Sequence, residues 1–139
     1  MVLASELISA AGKAREKAYA PYSGFQVGAA LLTAEGDVFS GANIENISSG
    51  LTICAERVAV FNAITSGHYQ FTSLAVVGDS AQPVFPCGAC RQVLWELAGD
   101  IEVMASNLKE EVLTVYLSRL LPHPFSPENL TSPREYFNF

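Results

Sequence analysis

Apolar and polar positions along this chain change rhythm several times, and each change marks an element. Leu3, Leu7, Ala10, Ala14 and Ala18 recur at helical spacing, which predicts an amphipathic helix over residues about 2–18. Ala20-Pro21-Tyr22-Ser23-Gly24 is rich in turn formers and ends it. From Phe25 to Thr33 the apolar residues run almost unbroken, as in a buried strand. Glu35-Gly36-Asp37 supplies a hairpin turn, and Val38 to Ala42 the returning strand. Asn43 to Gly50 is polar and turn-rich and reads as a loop.

A helical pattern resumes at Cys54 and lasts to about Ser66, where Gly67 stops it. Val58, Phe61 and Ile64, with Ala55 and Ala59, are its expected apolar face. Leu74-Ala75-Val76-Val77 is the short apolar run of a strand covered on both sides. A proline-bearing loop, Ala81 to Pro86, leads to a third helix from Cys87 to Leu97, stopped at Gly99-Asp100. Ile101 to Ala105 and Val112 to Leu117 complete the strands. Strands interleaved with helices predict an α/β layer structure, one mixed sheet with helices on its faces. Beyond Leu121 the chain becomes rich in proline, and this tail, about residues 122–139, is expected to pack on the domain or on a neighbouring subunit.

Length and charge narrow the picture. The 139 residues suit one domain, and half of them are hydrophobic, enough for a sizeable core. The formal net charge of −6 and the lack of any Lys/Arg run argue against a nucleic-acid backbone as partner. A small substrate is expected instead. No apolar stretch approaches a membrane span, and the first residues lack a signal-peptide pattern, so the expected location is the cytoplasm with no membrane partner. His68 and His123 have no ligand-like spacing to the cysteines and read as surface or tail residues.

All three cysteines fall in two short motifs, Cys54-Ala55-Glu56-Arg57 and Pro86-Cys87-Gly88-Ala89-Cys90-Arg91-Gln92. Zinc takes thiolates readily, and a catalytic zinc needs three protein ligands with a fourth position for water. Cys54, Cys87 and Cys90 supply three, and Glu56 lies close enough to work on the water without ligating. Each motif opens a predicted helix, whose N-terminus carries about half a positive charge and stabilises thiolates. Three thiolates and one Zn²⁺ leave a net −1, which makes the bound water harder to ionise. Two helix ends, together with Arg57 donating to the sulfurs, would offset that charge.

Blander readings compete. Cys54 alone fits a buried apolar residue. The Cys87–Cys90 pair at a helix start fits a thioredoxin-like redox pair, but this leaves Cys54 and Glu56 unexplained. A purely structural zinc would need a fourth ligand that neither histidine is spaced to give.

These motifs resemble the cytidine deaminase family, of the small homotetrameric three-cysteine kind. The likeness continues in Ala20-Pro21-Tyr22-Ser23-Gly24-Phe25-Gln26-Val27-Gly28-Ala29-Ala30-Leu31, in Gly41-Ala42-Asn43-Ile44-Glu45-Asn46 and in Leu120-Leu121-Pro122-His123-Pro124-Phe125. Where family members often carry an aromatic residue before the metal helix, this chain has Ser48-Ser49-Gly50. The resemblance implies a three-layer α/β/α fold with a mixed five-stranded sheet. It implies zinc on Cys54, Cys87 and Cys90, with Glu56 moving protons between water, the pyrimidine N3 and the leaving amine. It further implies an Ala55 N–H donating to the 2-oxo group, Asn43 and Glu45 on the sugar hydroxyls, and Phe25 against the base. Phe125 would reach a neighbour's site in a homotetramer. Taken without the family, Asn43 and Glu45 also fit ordinary turn residues, Phe25 a core side chain, and Phe125 a residue packed on its own domain.

The expected activity is hydrolytic deamination of cytidine and 2′-deoxycytidine in pyrimidine salvage. The nearest rival is a deaminase of a cytosine nucleoside antibiotic such as blasticidin S. A nucleic-acid editor usually has His as first ligand and needs a basic channel, so Cys54 and the acidic charge disfavour it. A zinc-stabilised interaction module is the non-enzyme alternative.

Overall fold

In the computed structural model, which describes residues 1–130, the apolar runs become strands and the helical patterns become helices. In chain order they are α1 (Ala4–Arg15), β1 (Val27–Thr33), β2 (Val38–Ala42), α2 (Ala55–Thr65), β3 (Phe71–Gly78), α3 (Gly88–Ala98), β4 (Glu102–Asn107), β5 (Val112–Tyr116) and the short α4 (Leu117–Leu120). The strands form one sheet of order β2-β1-β3-β4-β5. Only β3 and β4 are parallel; every other pairing is antiparallel. Parallel neighbours need a crossover, and α3 is the helix between these two.

Side chains alternate across a strand, so each strand feeds two cores. Val27, Ala29 and Leu31 of β1, Leu74 and Val76 of β3 and Val103 of β4 face α2, α3 and α4. Ala30, Ala75, Val77 and Met104 face Leu7 and Ala11 of α1. This is the expected three-layer α/β/α arrangement with a mixed five-stranded sheet. Two glycines set how closely the outer layers approach. A Cβ on Gly28 would lie 1.9 Å from the Ala11 carbonyl oxygen, and one on Gly41 2.5 Å from the Ala59 nitrogen. Each helix therefore rests on bare backbone at that point, α1 on β1 and α2 on β2.

Several boundaries differ from the expectation, each for a local reason. Helix α1 stops at Arg15 because Tyr19 is drawn away to pair with Ile44. Strand β1 starts at Val27, since Phe25 is engaged in the preceding turn. The buried face of α2 is Ala55, Glu56, Ala59, Val60 and Ala63, and Phe61 is 41% exposed. Small residues face the sheet because Gly41 brings it too near for a phenylalanine. His68 is held between Glu35 and Asp37 of the hairpin, with its ring against Phe39. Tyr136, Phe137 and Phe139 of the tail lie outside the described residues. No helix among the described residues is long and apolar enough to cross a membrane.

Candidate active site

Cys54 and Cys87 are the N-caps of α2 and α3, and Cys90 lies in the first turn of α3. Both caps have extended backbone, so each chain segment arrives straight and begins its helix at the thiol. The three sulfurs lie within 4.8 Å of one another. The Cys54–Cys87 separation is 3.8 Å and the Cys87–Cys90 separation 3.5 Å. Sulfurs bound tetrahedrally to one zinc at about 2.3 Å stand roughly 3.8 Å apart. The donor set, its spacing and its number fit a zinc with one further position. Cys90 is buried, Cys54 half-buried and Cys87 exposed, so the cluster opens to solvent on one side.

Charge is managed by the surrounding groups. The free N–H groups of both helix starts have no acceptor within their helices and favour negative charge nearby. Arg57 Nη2 donates to Cys54 Sγ at 3.4 Å. In the metal-free cluster the Cys54 thiol is lowered to about 5, first by the facing Cys90 thiol and then by Arg57. Cys90 is raised, because its S–H donates to Cys54 and because it is buried. The Arg57 guanidinium is held still more firmly in its charged form by the Cys54 sulfur. Its Nε is buried without a hydrogen-bond partner among the described residues.

Glu56 is 3% exposed, on the inner face of α2. Burial is the main reason its carboxyl is pushed up to about 7, and the neighbouring Cys54 adds to this. A carboxyl so placed can both take and give a proton near neutral pH. Ala55, fully buried, is the first residue of α2, so its N–H is one of those without an acceptor in the helix.

A second cluster is built from loops. Asn43 accepts the Val27 N–H and donates to the Phe25 carbonyl, both at 2.8 Å. Glu45 accepts from the Tyr22 and Ser23 N–H groups at 2.9 and 3.2 Å and from the Ser23 hydroxyl. The Ser23 hydroxyl holds the carboxyl of Glu45 below its ordinary value more than any other contact. Between them, Ile44 pairs in both directions with Ile53, at 2.9 and 3.0 Å. Ile53 immediately precedes Cys54, so this bridge joins the loop cluster to the sulfur cluster. Phe25 is 39% exposed, and its ring Cζ would lie 3.1 Å from a Cβ on Gly78, at the end of β3. Asn43 and Glu45 thus perform the turn-forming work that the blander reading gave them, and keep hydrogen-bonding capacity besides.

Phe125 is held against α3. Its carbonyl accepts from Gln92 Nε2 at 2.7 Å, Trp95 Nε1 donates to Ser126 Oγ at 2.8 Å, and Phe125 as a whole is 65% exposed. Arg91 donates from Nε to the Pro86 carbonyl and from Nη1 to that of Leu120, at 2.7 and 2.9 Å. It thereby fixes the residue before Cys87 to the end of α4. Sequence reasoning missed Ser23, Arg91 and Gln92. A serine two residues before a residue whose N–H it can accept is a known turn device and was the one available signal for Ser23.

Comparison with known proteins adds an independent line. Residues 1–106 match the family model of the cytidine and deoxycytidylate deaminase zinc-binding region. A cytidine deaminase of Halalkalibacterium halodurans is 52% identical over 125 residues, 89% of this chain and 95% of that protein. The crystal structure of a cytidine deaminase from Burkholderia pseudomallei superposes with a TM-score of 0.87 at 50% identity, covering 89% of this chain and 100% of that one. A cytidine deaminase structure from Mycobacterium tuberculosis gives 0.78 at 38% identity, covering 90% and 98%.

Proposed function

The chain belongs to the cytidine and deoxycytidylate deaminase zinc-binding family, and we propose that it hydrolyses the 4-amino group of free cytidine and 2′-deoxycytidine. Membership makes it a zinc-dependent hydrolase. The observation that carries the substrate reading is a three-sulfur cluster paired with a buried carboxyl two residues after its first cysteine. In this reading Cys54, Cys87 and Cys90 hold the zinc. Bound there, zinc supplies Lewis-acid activation of a water near neutral pH.

Glu56 handles the protons. It takes one from the attacking water and gives it to N3 of the ring as the oxygen adds at C4. It then carries the second water proton to the amino group, the C–N bond breaks, and ammonia and the uridine nucleoside remain. Arg57 offsets the charge of the three thiolates by its bond to Cys54. The Ala55 N–H donates to the 2-oxo group, and Phe25 lies against the base.

Hydrogen-bond capacity supports a sugar site at the second cluster. A carboxylate offers about four acceptor positions, and Glu45 uses three of them within the turn. Asn43 keeps one amide N–H and one lone pair after binding Phe25 and Val27. A sugar hydroxyl, which both donates and accepts, can be taken up by Glu45 and Asn43 together.

Residues 1–139 act as one domain, in the cytoplasm, where thiols stay reduced. The active form is a homotetramer, in which Phe125 covers a neighbour's nucleoside. Its support is the exposed apolar surface, with Phe125 at 65% and Ile47 at 83% exposure.

Loss of cytidine absorbance on adding the zinc-loaded protein tests the function. The expected result is uridine formation. A zinc-loaded chain that leaves cytidine untouched would overturn the reading.

A further inference from the structure

One hydroxyl bonds both Glu45 and Phe25, the residues proposed to meet the sugar and the base. Ser23 Oγ donates to the Glu45 carboxylate and accepts the Phe25 N–H at 3.0 Å. The direction of both bonds is forced, because a carboxylate only accepts and an N–H only donates. A serine hydroxyl has one proton and two lone pairs, so it can do both at once. Asn43 grips the other backbone group of Phe25, its carbonyl, and the N–H of Val27. Gly24, with φ of +69°, turns the chain so that Ser23 can reach back to both partners.

We infer that Ser23 is a positioning residue for the nucleoside, whose hydroxyl ties the carboxylate of Glu45 to the backbone of Phe25 and so presets the two as one unit. The inference rests on the roles proposed above for Glu45 and Phe25. Without the hydroxyl, Glu45 keeps its two backbone donors but loses the bond to its second oxygen, and the Phe25 N–H loses its acceptor. Sugar and base contacts then have to be ordered during binding, and ordering lowers affinity. Ser23 touches none of the sulfurs and does not touch Glu56, so the chemical step itself is untouched. The side chain is exposed, so its removal opens no cavity.

Ser23→Ala, Ser23→Thr and wild type are compared as zinc-loaded proteins with cytidine, and with uridine as product inhibitor. Ser23→Ala should raise KM and the uridine inhibition constant together by about ten-fold or more, the scale of a hydrogen bond to a charged group. Its kcat should stay within about three-fold, since ground-state and transition-state binding fall alike. Ser23→Thr, which keeps the hydroxyl, should restore both constants to within about three-fold of wild type. An unchanged KM in an active Ser23→Ala, a fall confined to kcat, or a Thr variant as impaired as Ala would overturn the inference. Lack of turnover by wild type would instead remove the substrate reading beneath it.

Discussion

The sulfur cluster and the loop clasp meet at the Ile44–Ile53 bridge, yet they are built by opposite means. Cys54, Cys87 and Cys90 are set by helix starts seated on a packed sheet, and the neighbouring Glu56 is buried. Asn43 and Glu45 are set by side-chain bonds to the backbone of a turn about twenty residues earlier, and Ser23 belongs to that turn. Rigid packing suits groups that must hold charge and protons at fixed distances, because reacting groups lose much of their effect when slightly misplaced. Bonds to exposed turns suit recognition, since each is separately adjustable. Damage to the first region should therefore appear in kcat, and damage to the second in KM.

The largest expected effect is that of Glu56→Gln. Loss of a general acid and base typically costs about 10²–10⁴ in rate, and here one group serves every transfer, so the upper end is expected with zinc retained. Near-normal kcat at full zinc content would break the distinction between the two regions. Next is Gly41→Ala, which pushes a methyl into the α2 backbone at 2.5 Å. Overpacking against backbone should cost about 3 kcal/mol, and because α2 carries Cys54 and Glu56 its displacement should lower kcat also. Gly12→Ala is the control, with nothing within 4 Å; in mid-helix it should gain about 0.5–1 kcal/mol. Thermal melts and rates on both variants check this.

A pH-dependent effect separates structure from chemistry. The Glu56 carboxyl is raised from 4.5 to about 7 in the folded metal-free chain. The folded state therefore binds the proton more tightly than the unfolded one. Stability from this group is fully present below the unfolded value and is lost as pH rises through the folded value. In the metal-free protein Glu56→Gln should be more stable than wild type above pH 7, by up to about 3 kcal/mol, and the advantage should vanish near pH 4. Melting temperatures of both chains across pH read it, and an advantage independent of pH would deny the burial cost. Apart from the Gly12 control, the smallest effect is expected from Asn43→Ala. It leaves the Val27 N–H and Phe25 carbonyl without this partner, costing about 1–3 kcal/mol, and should raise KM with a lesser change in kcat.

The same contrast explains what could be read from the sequence. The spacing of Cys87 and Cys90, Glu56 beside Cys54, and helix signals at both thiols are local patterns, so the cluster and its helix starts were legible. Layer order followed from strands alternating with helices. The face of α2 was not legible: Phe61 has the more apolar side chain, but Gly41, fourteen positions before the helix begins, dictates that alanines face the sheet. Phe25 reads as strand by hydrophobicity, but the distant Asn43 and the neighbouring Ser23 hold its backbone out of β1. The turn at α4 escaped because Val112 to Leu117 is apolar except for Thr114, and Leu117 leaves the run to fill the core beside α3. Arg91 and Gln92 were visible as residues, but the carbonyls they hold are contributed by chain about thirty positions later.

The central claim is that the three cysteines hold the zinc on which Glu56 chemistry depends. Its most direct test is turnover of cytidine as zinc is titrated back into metal-free protein. Activity should rise in proportion to bound metal and break at one zinc per chain, with no such break in a Cys90→Ala chain. Turnover by the metal-free protein, or a Cys90→Ala chain that titrates like wild type, would contradict it.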